Sequence, residues 1–163
     1  MRVFEDYETN QRAIKIISGI ETISATIGLM MGVETDINED ITSEIKNMIM
    51  ERPVILAQDI MEINEKSLYK IQNVVGCSNN IYKQLSDSTA ICIIGVLNFP
   101  INEARLTLKN PEVENSHRGT KLRMWMHESS KILVYLKKHY YLSDNVKIQI
   151  EQSLDMLNKV YYN

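Results

Sequence analysis

Residues 90–97 read AICIIGVL, a run with no polar side chain long enough to mark a solvent face. Such a run is buried on all sides, and periodicity alone does not separate a buried helix from a buried strand. No second strand-like segment lies nearby to pair with it, which favours the helix. With that choice every other apolar stretch falls into one scheme, an all-α protein.

Working outward, the helical period recurs on both sides. Upstream, Ile60, Ile63, Ser67, Ile71 and Val74 make one stripe of a helix that starts near Pro53, where the first turn tolerates proline, and stops at Gly76. Asn79 and Asn80 open a further helical stretch through Leu85. Pro100 is expected to break the apolar helix, leaving a short helical turn around Glu103–Leu108. Lys109–Ser116 (KNPEVENS) reads as a polar loop.

Beyond the loop, Leu122, Trp125, Ser129, Ile132, Leu136 and Tyr140 form the inner stripe of a helix over about 119–140. Val146, Ile150, Leu154, Leu157 and Val160 do the same for a last helix capped by Ser143. These two helices are joined so closely that they must be antiparallel neighbours.

Near the N-terminus, Ile16, Ile20, Ile23, Ile27 and Met30 mark a long helix from about Glu8 to Met31. Its small face of Ser18, Thr22, Ala25 and Leu29 suits close approach of a second copy. A short helix with Ile41, Ile45, Met48 and Ile49 inward follows, capped by Asn38 or Asp40. The expectation is an up-and-down four-helix bundle over 51–163 with one or two additional N-terminal helices in 1–50.

Composition narrows the function classes. The 163 residues carry a net charge of −3, with 44% hydrophobic and 24% charged residues, ordinary values for a globular chain. Two cysteines without a CxxC spacing, and no basic leader, imply reduced thiols in a cytoplasmic protein outside the membrane. The charge is unevenly placed: residues 1–70 hold 7 Lys/Arg against 13 Asp/Glu, whereas 116–147 hold 7 against 2. A local excess of +5 on an acidic protein marks a surface for an anionic partner.

That basic segment contains all three histidines. His117, His127 and His139 are ten and twelve residues apart, too far for a helical metal site, so neither a metal nor a cofactor is expected. Arg118 and Lys121 open the basic helix, where cations oppose the helix dipole unless an anion or nearby carboxylates such as Glu112 and Glu114 compensate. Lys137, Lys138 and His139 end the helix, where cations are favoured. Trp125 lies on the inner stripe and belongs to the core. The partner-contacting residues expected from this reading are His117, Arg118, Lys121, Arg123 and Lys131.

Two resemblances accompany it. Tyr69-Lys-Ile, Gln84-Leu85, the run to Gly95, Tyr141-Leu-Ser143 and the last helix occur in an order similar to that of four-helix-bundle proteins encoded in ribosomal-RNA intervening sequences. The relatives of those proteins, the accessory variability proteins of diversity-generating retroelements, are resembled also in Lys121-Leu-Arg123. The match spans about residues 60–160 and implies a ring-forming partner of nucleic acid or a reverse transcriptase from a mobile or phage-like element, although members of the retroelement type are basic and this chain is acidic. Arg123-Met-Trp-Met-His127 also resembles the Arg…His motif of HEPN-type ribonucleases, but with three intervening residues instead of four to six and without the polar residue beside the arginine.

The combined expectation is a small non-enzymatic interaction or adaptor protein. It self-associates as a homodimer or higher oligomer and binds an acidic protein or RNA. The alternatives are a helical ribonuclease using Arg123 and His127 across a dimer, and a small-anion or nucleotide binder at Arg118–Lys121.

Overall fold

A computed structural model describes residues 39–75 and 80–162. Among these there are six helices and no strand: α1 (Glu39–Glu51), α2 (Pro53–Val75), α3 (Asn80–Thr107), α4 (Pro111–Glu114), α5 (His117–His139) and α6 (Asp144–Tyr162). The long Ile-rich segment expected over 8–31, and Cys77, lie outside the described residues.

AICIIGVL is the middle of α3, and α3 is the hub. It packs against α1, α2, α5 and α6, whereas α2 meets α5 only slightly. Encirclement explains the missing polar face: Ala90, Cys92, Ile93, Ile94, Val96 and Leu97 are all buried, and only Ile91 of this run is exposed. The window Tyr82–Thr107 has the length and composition of a bilayer-crossing helix, and in this fold most of it is covered by the neighbouring helices.

Pro100 does not end the helix, contrary to the sequence expectation. The helix runs through it to Thr107, absorbing the turn expected at 103–108. A proline inside a helix costs about 3 kcal/mol. Leu97, Ile101 and Ala104 continue the stripe at i, i+4 and i+7 and are buried to within 1%. Ending the helix at Pro100 would give up the burial of Ile101, worth about 1.5–3 kcal/mol, and of Ala104, which together match the proline's cost, so the helix continues.

The neighbours each contribute one stripe. Leu122, Trp125, Met126, Ser129, Ile132, Leu133 and Leu136 are buried on α5. Val146, Ile150 and Leu157 are buried on α6, with Leu154 and Val160 partly so. On α2, Val54, Leu56, Ala57, Ile60 and Asn64 face inward. On α1 the expected stripe is half right: Ile49 is buried and Ile45 partly, but Met48 is exposed. Ser153 Oγ donates to Asn98 Oδ1 at 2.8 Å, tying α6 to α3.

Residues 109–116 are not simply a loop. Asn110 caps a one-turn helix by accepting from Glu112 N–H through its side chain, and Pro111 fills the first helical position. The Asn-Pro pair that reads as a turn serves as a helix start.

Because α3 is enclosed, its core positions should be the most sensitive in the protein. Leu97→Ala should lower the unfolding free energy by about 2–5 kcal/mol, and Ile91→Ala by under about 1 kcal/mol. Urea unfolding followed by circular dichroism measures both, and equal losses would contradict the hub role of α3.

Candidate functional site

The start of the basic helix is built on a tight corner. Ser116 is the N-cap of α5; its Oγ donates to Val113 O at 2.6 Å and accepts from Gly119 N–H at 3.2 Å. A Cβ on Gly119 would stand 2.1 Å from Val113 O and 2.6 Å from Glu114 O. Both are backbone atoms that cannot swing aside, so α4 crosses α5 this closely only over a glycine.

Arg118 is fixed by the same corner. Its Nε donates to Glu103 Oε1 at 3.0 Å, and a second, short bond joins Nη2 to Oε2. Its guanidinium also lies 4.9 Å from the centre of the Trp125 ring, which is buried as the inner stripe predicts. The dipole penalty for a cation here is about 0.3–1 kcal/mol. A bidentate pair with both side chains about a third exposed contributes about 1 kcal/mol, and the ring contact adds a comparable amount. The compensating carboxylate is therefore Glu103 of α3, and not Glu112 or Glu114. Gly119 N–H is taken by Ser116 and Arg118 by Glu103, while Lys121 is exposed.

The other expected residues separate. Arg123 Nη1 donates to the Glu114 carbonyl at 2.7 Å, and Nη2 approaches Thr120 Oγ1 at 3.3 Å. His117, Lys121 and His127 are exposed and make no ion pair among the described residues. Lys131 faces a different groove, beside Glu62, Glu65 and Glu128, and pairs with Glu128 at 3.5 Å. Lys137 at the other end of α5 pairs with Glu151 of α6, in keeping with its structural reading.

Two features escaped the sequence. The first is a cleft of about 670 Å³ where the ends of α3 and α6 meet α4, flanked by Arg105, Lys109 and Lys159 with Glu114 as its one acid. These cations come from two stretches of the chain, the end of α3 and the end of α6, and none of them forms an ion pair among the described residues. Arg123 joins them through the Glu114 backbone.

The second is a cavity of about 150 Å³ between α2, α3 and α5, lined by Glu65, four tyrosines, Ser86 and His139. Here the Tyr140 phenol is pushed well above its ordinary value, by burial first and then by the nearby Glu65 charge. The Tyr135 phenol is raised chiefly by its hydrogen-bonding approach to Glu65. Tyrosine recurring on facing stripes of three helices was the available signal.

No protein-family model matches the chain, and no curated protein or solved structure matches it significantly.

Two outcomes follow from this geometry. Gly119→Ala should destabilise the protein by about 1–3 kcal/mol, although alanine normally improves a helix, and a raised melting temperature would refute the crowding at Val113 O. For Tyr140, folding holds the neutral phenol while the unfolded chain ionises near 10.0. Its contribution is intact below pH 10 and is lost above it, by about 1.4 kcal/mol per pH unit. Urea midpoints between about pH 8 and 11 should therefore fall less steeply in Tyr140→Phe than in the wild type.

Proposed function

We propose that this chain is a non-enzymatic α-helical interaction protein that self-associates and takes an acidic partner, protein or RNA, on the basic end of its bundle. The observation that carries this reading is the cleft with Arg105, Lys109 and Lys159 around Glu114, with Arg123 alongside. Three cations that form no ion pair among the described residues concentrate the local positive potential on an acidic chain and steer an anionic surface toward one end. Exposed His117 and Lys121 extend that end, whereas Arg118 serves the fold.

Self-association draws support from apolar side chains left outside the core. Met50 and Leu106 are 45% and 70% exposed beside an apolar groove of about 250 Å³ formed with Phe99, Pro100 and Trp125. A second copy laid on this groove would cover them, and the basic end of each copy would stay open.

The test is binding of a labelled single-stranded RNA and of a polyglutamate peptide as salt is varied. If about three phosphates are neutralised, log K for RNA should fall with log salt at a slope of about −2. The triple variant Arg105→Glu, Lys109→Glu, Lys159→Glu should abolish binding of whichever anion is taken. Undiminished binding by that variant would refute the assignment. Sedimentation of Leu106→Glu reads the other half of the proposal, since a mass equal to that of the wild type would remove the groove from self-association.

A further inference from the structure

The cavity between α2, α3 and α5 is away from the basic end and has its own chemistry. Glu65 and Tyr69 of α2, Tyr82 and Ser86 of α3, and Tyr135 of α5 with Tyr140 just after it form the walls. Tyr82 and Ser86 are buried at 8% and 1% exposure and form the floor, while Tyr69, Tyr135 and His139 are exposed at the mouth. The aromatic wall is continuous: Tyr135 lies 4.5 Å from His139, and Tyr140 meets Tyr135 edge-on at 6.4 Å, centre to centre.

Three polar atoms of this lining are buried without a hydrogen-bond partner: Glu65 Oε1, Ser86 Oγ and Tyr140 Oη. Folded proteins leave few such groups unmet, and three about one cavity point to something that supplies their partners. All three can accept a hydrogen bond, and the carboxylate oxygen can only accept. Tyrosine faces present negative charge density, and no Lys or Arg lines the cavity. An anion would meet Glu65 and the ring faces. The described residues include no group of His, Cys, Asp and Glu suited to a metal ion.

We propose that this cavity binds a primary ammonium group, R–NH₃⁺. Its three N–H donors match the three unmet acceptors, its charge answers Glu65, and a short alkyl stem lies against the tyrosine rings at the mouth. A quaternary ammonium satisfies the rings but has no N–H for Glu65, Ser86 or Tyr140. The same chemistry is available from a free alkylamine or from a lysine side chain of another protein.

Isothermal titration of the full chain with butylammonium chloride tests this, with potassium chloride and tetramethylammonium chloride at matched ionic strength as comparisons. Saturable binding of butylammonium is expected, with tetramethylammonium about tenfold weaker or more. Glu65→Gln should weaken butylammonium by about tenfold or more, because a charge-assisted hydrogen bond is lost. Tyr69→Ala, at the exposed mouth where folding is least disturbed, should weaken it a few-fold, and melting curves confirm that each variant is folded. N-α-acetyl-lysine amide separates the sources: binding alongside butylammonium assigns a lysine side chain, and binding of butylammonium alone assigns a free amine. No saturable response to butylammonium, a response equal to that of potassium, or unchanged affinity in folded Glu65→Gln would overturn the proposal.

Discussion

The burial of the middle of α3, where Ile91 alone of residues 90–97 is exposed, constrains everything around it. A helix so largely apolar and buried cannot be stable alone in water, because its apolar area must be covered from several directions at once. Three long helices with one apolar stripe each, and the shorter α1, supply that cover. The three long helices each meet α3 more than they meet one another, and the slight contact between α2 and α5 is the natural result. The same constraint carries the chain through Pro100, since ending the helix there would release Ile101 and Ala104 from the only place that buries them.

The far end of α3 then determines which cations are free. Glu103 is on the turns of α3 beyond Pro100, and it holds Arg118 over Trp125. Gly119 lets α4 cross close enough for the Glu114 carbonyl to receive Arg123. One corner thus engages the arginine that best suits an anion site and holds a second one against the α4 backbone. The positive segment divides into cations that hold α5 in place and cations that remain outward.

Helix positions were readable because their stripes are long and clean: the inner face of α5 from Leu122 to Leu136 is buried at each expected position. The burial of Trp125 followed from the same spacing. Pro100 was misread because a local rule was applied where tertiary burial outweighs it, and Lys109–Ser116 because Asn-Pro starts a turn and a helix equally well. Pairings across helices were beyond reach in principle. Glu103 and Arg118 are fifteen residues apart, and nothing local distinguishes Glu103 from Glu112 or Glu114 as the counter-ion. The basic cleft was missed for the same reason, since Arg105, Lys109 and Lys159 converge only once α3 and α6 are placed.

The polar cavity stands against the economy of the rest. Glu65, Ser86 and Tyr140 each bury a polar atom without a protein hydrogen-bond partner, and such groups cost stability when nothing meets them. Apolar side chains of similar size would pack the same seam at lower cost. The cavity lies where α2 and α5 face each other with little direct contact, so an occupant that meets those groups also bridges these two lightly joined helices. Occupancy and the α2–α5 packing are then linked quantities: whatever binds the folded form stabilises it in proportion to how far its concentration exceeds its dissociation constant.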